Sequence, residues 1–108
     1  MSRDGLTRMT KVEIVVEGTE AAQVRTLLQE AGVTGYTAVS NVSGLGHRGY
    51  HEGRLLFNDQ AALALLIAVA PDDRVDAVLA GLRTLFERRS GVMFVSDVWV
   101  SRAEHFTA

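Results

Sequence analysis

Residues 61–86 read AALALLIAVAPDDRVDAVLAGLRTLF, and their interpretation decides the fold. By propensity alone Ala61–Ala70 suits a helix, because alanine and leucine dominate it. Position argues otherwise for its second part. Pro71 stops the run, Asp72 can cap, and Asp73 and Asp76 favour the positive end of a helix dipole. Val75, Val78, Leu79, Leu82, Leu85 and Phe86 then recur at helical spacing, which predicts one long amphipathic helix. The apolar residues before Pro71 are therefore a buried strand feeding that helix.

Working outward, Arg88-Arg89-Ser90-Gly91 breaks the helix. Val92–Val100, rich in β-branched and aromatic residues, then predicts the last strand. Upstream, Lys11–Glu17 alternates: Val12, Ile14 and Val16 share one face, Lys11, Glu13 and Glu17 the other. Gly18-Thr19 turns the chain, and Thr19 can cap a helix whose apolar positions are Val24, Leu27, Leu28 and Ala31, with Gly32 suited to the left-handed position after it. Gly35–Val42 alternates again, with Tyr36, Ala38, Ser40 and Val42 against Thr37, Val39 and Asn41. Residues 43–60 lose all period and contain Gly44, Gly46, Gly49 and Gly53. A connection of that length in a small domain points to function.

The order is βαβ, long loop, βαβ, with a weak resemblance between the halves. Its most economical solution is an α+β, ferredoxin-like βαββαβ sandwich, a four-stranded antiparallel sheet with both helices on one face. No helix remains for the other face. The last strand is apolar on both alternations, Val92, Phe94, Val98 and Val100 against Met93, Val95 and Trp99, so the bare face predicts a homo-oligomer.

Composition bounds the function. The chain has 108 residues, 47% of them hydrophobic, which suits one globular domain. Residues 1–10 are expected to be a flexible N-terminal segment, 11–102 the folded domain and 103–108 a tail. A formal charge of -2 lacks the basic excess that general nucleic-acid binding needs. Cysteine is absent, which excludes disulfides, thiolate metal sites and cysteine nucleophiles. Met1–Thr10 has no secretory signal character, and Ala61–Ala70 is about half a membrane span, so a cytoplasmic protein without membrane insertion is expected. The Asn41-Val42-Ser43 sequon is read as accidental.

Candidate chemistry gathers in the loop and at element ends. Gly44-Leu45-Gly46-His47-Arg48-Gly49 matches G-x-G-x-x-G, but no helix opens after it, so the dinucleotide fingerprint is rejected. A plain flexible loop and a loop that wraps a ligand through backbone N–H groups both stay open. His47 and His51, beside Glu52, would share a face only in a helix. With His105 they could hold a metal between subunits, although solvated histidines are the commoner outcome and no metal site is assigned. No nucleophile motif or carboxylate pair supports catalysis, so no catalytic residue is assigned. Arg88 and Arg89 suit a helix C-terminus in any case. Together with Arg102 and Arg48 they could equally supply guanidinium forks for a phosphate or another small anion. Trp99 and Phe94 read as core or interface residues.

Four segments in order resemble the PII signal-transduction superfamily. Ala31-Gly32-Val33-Thr34-Gly35-Tyr36-Thr37 is similar to that family's entry into strand two, and Val42-Ser43-Gly44-Leu45-Gly46 to its V-x-G-x-G start of the T-loop, here residues 43–60. Pro71-Asp72-Asp73 with Val75-Asp76 resembles its second helix start, and Phe94-Val95-Ser96-Asp97-Val98 its last strand. The resemblance implies a trimer with inward-facing sheets, adenine nucleotides in the clefts between subunits and a T-loop that senses them. By position, Gly35, Tyr36 and Thr37 would line the base and ribose pocket, and Ser43, Gly44 and Gly46 would lie near the phosphates. Arg88, Arg89, Ser90, Gly91, Val92 and Met93 would form the partner subunit's phosphate-facing segment. Arg102 falls near the family's C-terminal arginines, one position out of register.

The departures from the pattern narrow the branch. His47-Arg48 stands where other members carry Arg-Gln, the glutamine serving magnesium and 2-oxoglutarate, so 2-oxoglutarate sensing should be lost. The T-loop tyrosine used for uridylylation and the lysine-rich phosphate segment are also missing. The chain is more similar to the carboxysome-associated PII-like proteins, a resemblance that implies ADP or AMP with bicarbonate as ligands, ATP as a further option, and no cofactor. His47 and Arg48 would be the bicarbonate contacts, and a bicarbonate transporter or a carboxysome protein the partner. The implied function is a non-enzymatic sensor of inorganic carbon or energy status. Two other readings fit the same topology: a small oligomeric enzyme with His47 or His51 as general base, and an amino-acid-binding domain of the ACT type.

Overall fold

A computed structural model describes residues 4–43 and 62–107. The elements are β1 (Thr7–Glu17), a 3-10 turn (Gly18–Glu20), α1 (Ala21–Glu30), β2 (Tyr36–Val42), β3 (Leu63–Ala70), α2 (Asp72–Arg88), β4 (Gly91–Val100) and a short α3 (Glu104–Thr107). The strands form one sheet in the order β2-β3-β1-β4, every neighbouring pair antiparallel. This is the α+β, ferredoxin-like arrangement expected from the alternation of patterns.

The period-2 reading of β1 explains the core. Val12, Ile14 and Val16 are buried, and so are Ala64, Leu66, Ala68 and Ala70 of β3, which together present one apolar face. Val24 and Leu28 of α1 and Val75, Val78, Leu82 and Leu85 of α2 close over it. The residues before Pro71 are strand because each of Leu63–Ala70 has a partner on β1, which satisfies backbone groups that a short helix there would have left to solvent. Gly32 takes the left-handed conformation at φ +81° that ends α1, its N–H bonded to the Gln29 carbonyl at 3.0 Å.

Among the described residues, no helix covers the opposite sheet face. Val15, Leu65, Ile67 and Val69 are half-buried there, while Val39, Val92 and Phe94 are exposed at 41%, 44% and 55%. Most of the exposed large apolar side chains thus lie on the helix-free side of the sheet; Val95, opposite the buried Val12 on β1, is exposed on the other.

Several local expectations are corrected. Strand β1 begins at Thr7 rather than Lys11: Thr7–Thr10 pair with Val100–Asp97 of the long strand β4, and Thr10 is buried, so the fold takes in Thr7–Thr10 as well. Thr19 sits inside the 3-10 turn and caps nothing; Glu20 is the residue preceding α1. Asp72 is the first residue of α2, and the backbone carbonyl of Pro71 accepts from Arg74 and Val75 N–H at 3.1 and 3.2 Å. The alternation of β2 breaks at Asn41, whose φ of 60° makes a bulge that sets Val42 opposite Leu63, on the face of Thr37 and Val39. The aperiodic tail contains α3, held by contacts that local pattern does not encode.

Candidate functional site

The antiparallel order sorts the expected binding residues between the two ends of the sheet. At one end lie the close of β1, Ser43 after β2, the start of β3 at Leu63, and the segment Arg88–Met93 that leads from α2 into β4. At the other end lie Gly35 and Tyr36, opposite Ala68, and Arg102 beyond β4. Thr37, the second residue of β2, and Ser43, just beyond its end, are about 20 Å apart at strand rise. Strands β2 and β4 are opposite edges, separated by β3 and β1. Three strand spacings amount to about 14 Å. Ser43 and Arg88–Met93 therefore share an end of the sheet without meeting within one subunit.

Each residue has a local reason for its place. Gly35 is exposed just before β2 with open space around its Cα, whereas Tyr36 packs against the core. Thr37 is exposed on the helix-free face, opposite Ile67. Arg88 closes the last turn of α2, where a cation offsets the helix dipole. Arg89 leaves the helix in an extended conformation (φ -124°, ψ 156°), its N–H bonded to the Leu85 carbonyl at 3.0 Å. Its Nε lies 3.5 Å from Glu20 Oε2. A Cβ at Gly91 would clash with the Phe86 ring, first at Cε1, so any side chain there requires the ring to shift. Arg102 is exposed and left-handed at φ 56°, and its carbonyl accepts the His105 N–H at 2.9 Å. Gly44, Gly46, His47 and Arg48, with His51 and Glu52, lie outside the described residues.

Sequence reading passed over a second set of polar residues. Arg74 donates to the carbonyls of Gly32 at 2.9 Å, Phe106 at 3.5 Å and Thr107 at 3.1 Å, and the Thr34 hydroxyl donates to the His105 carbonyl at 3.0 Å. These bonds hold the tail against the turn that precedes Gly35. The Gly18 N–H donates to the Ala62 carbonyl at 2.7 Å, so the turn carrying Glu20 is pinned to the residue that enters β3. No local signal marks these pairs, because each joins segments far apart in the chain. Among the described residues no group of three or more His, Asp or Glu could hold a metal ion.

Residues 9–105 match the family of the nitrogen regulatory protein P-II. The chain belongs to that family. CPII, a PII-like protein from Thiomonas intermedia K12 whose structure is bound to ADP, AMP and bicarbonate, is 43% identical. The match covers 95% of this chain and 97% of that one, at a TM-score of 0.82. The apo form of the same protein is 40% identical over 90% of this chain and 96% of that one, at a TM-score of 0.74. The ATP complex of GlnK from B. subtilis, 22% identical over 84% of this chain and 83% of that one at a TM-score of 0.59, shares the fold. No curated protein matches. By its family and structural matches the chain is a PII-like protein of the CPII kind, a regulatory protein and not an enzyme. The catalytic and ACT-type readings of its topology fall away. Among its described residues, no helix is long and apolar enough to cross a membrane.

Proposed function

We propose that this PII-like protein is a homotrimer binding ADP or AMP, with ATP as a competing nucleotide and bicarbonate as co-ligand, in three clefts between subunits. The observation that carries the reading is the placement of Ser43 and Arg88–Met93 at one end of the sheet on opposite edges. A nucleotide lodged between the β2 edge of one chain and the β4 edge of another touches both segments, and the exposed apolar face of Val39, Val92 and Phe94 supplies the surface that brings them together. The ADP, AMP and bicarbonate bound by the Thiomonas protein support the ligand class.

In this reading Ser43, Gly44 and Gly46 border the phosphates, and the Gly35, Tyr36 and Thr37 that flank the base and ribose come from another subunit, since within one chain they lie about 20 Å from Ser43. The neighbouring subunit's Arg88, Arg89, Ser90, Gly91, Val92 and Met93 face the phosphates, with Arg102 beyond β4 and His47 and Arg48 toward bicarbonate. Guanidinium groups suit this task because their paired N–H donors match phosphate and carbonate oxygens. Ligand contacts at the base of the 43–60 T-loop would select one loop arrangement and so change the surface offered to a cytoplasmic partner, a bicarbonate transporter or a carboxysome protein.

Calorimetric titration with ADP, AMP and ATP, each with and without bicarbonate, tests the reading, with light scattering for subunit number. Saturable ADP or AMP binding at one site per chain, on a particle of three chains, is the expected result. No heat with millimolar nucleotide, or full binding by a monomer, overturns it.

A further inference from the structure

We propose that Glu20 is a positioning residue that holds the Arg89 guanidinium for a nucleotide phosphate; this rests on the reading of Arg88–Met93 as the phosphate-facing segment. The two partners are unequally exposed: the Glu20 side chain is 14% exposed and that of Arg89 62%. The carboxylate is the sheltered anchor and the guanidinium the presented group. Their nearest approach is through Arg89 Nε, at 3.5 Å. A contact on the Nε side of the planar fork leaves the edge formed by the two terminal nitrogens to meet an oxyanion bidentately.

Both partners are held by backbone. The Arg89 N–H is bonded to the Leu85 carbonyl, and the turn carrying Glu20 is fixed by the Gly18 N–H on the Ala62 carbonyl. Glu20 also precedes α1, where the positive helix end favours its charge. An arginine so restrained loses less side-chain freedom when phosphate arrives, and that saving appears as affinity. Plain charge repulsion between Glu20 and phosphate predicts the opposite sign, so the direction of the effect discriminates.

The test is a double-mutant cycle on the full chain, with ADP affinity measured by calorimetry and folding followed by thermal unfolding. Glu20→Ala should weaken ADP binding roughly fivefold, a typical coupling between groups in contact. In an Arg89→Ala background the same change should have no further effect. Glu20→Asp keeps the charge at the helix start but withdraws it from Arg89, and should weaken binding as Glu20→Ala does without loss of thermal stability. Unchanged or tighter ADP binding by both Glu20 variants overturns the inference, as does an equal loss in the Arg89→Ala background. A wild-type protein that binds no ADP overturns the proposed function first, a result distinct from wild-type binding that Glu20 does not affect.

Discussion

Thr10 donates its hydroxyl to the carboxylate of Asp72, joining the inner strand β1 to the first turn of α2. Arg8 completes the arrangement. Its Nη1 lies 3.3 Å from both Asp72 oxygens and its Nη2 2.6 Å from Asp97 Oδ1 on β4. One guanidinium thus ties two strands and a helix at the sheet end opposite Arg88–Met93. Asp72 would by position cap its own helix; the tertiary fold gives it a buried hydroxyl instead.

That arrangement sets a pH dependence. The Thr10 hydroxyl, followed by Arg8, holds the Asp72 carboxyl below its ordinary 3.8, against a smaller opposing effect of burial. A carboxyl depressed in the folded state stabilises the fold above its unfolded value and loses that contribution as pH falls through the folded one. Urea unfolding should therefore show a gap between wild type and Asp72→Asn at pH 6 that closes below about pH 4. A gap independent of pH would contradict the assignment.

Arg74→Ala should release the tail. Three carbonyls lose a charged donor, two of them in α3 or at its end. Hydrogen exchange should rise across residues 104–107, with a global loss of about 1 kcal/mol because the freed carbonyls regain water. Unchanged exchange there would show that Thr34 alone suffices.

Gly91→Ala places a methyl group against three atoms of the Phe86 ring, the nearest being Cε1. Overpacking of this kind costs about 1–3 kcal/mol. Denaturant titration should show the loss, and Phe86→Leu in the same chain should recover part of it. Full stability of the single variant would mean that the ring turns aside freely.

Phe94→Asp tests the bare sheet face. Phe94 is 55% exposed and lies opposite Glu13 on β1, so a second carboxylate there adds like-charge repulsion at little cost to the monomer core. Light scattering should show a folded monomer, and ADP binding should fall with the loss of subunit contact. An intact oligomer would place the interface elsewhere.

The fold was legible because its signals are local. Period-2 alternation in Val12, Ile14 and Val16, helical spacing from Val75 to Phe86 and the interruption at Pro71 each need only a few neighbouring residues. The glycine-rich start of the long loop and the arginines after α2 could be picked out as residue types. Their relation to each other could not, because it depends on which edges β2 and β4 occupy.

Order along the chain was enough for the element types, the antiparallel βαββαβ plan and an apolar surplus that one layer of helices cannot cover. Three-dimensional packing decided the rest: that Asp72 answers Thr10 and Arg8, that Glu20 meets Arg89, and that Arg74 gathers the tail. Periodicity reports the face on which a side chain lies. A polar partnership instead needs two distant segments brought within a few ångströms, and only the assembled sheet with its docked helices sets those distances.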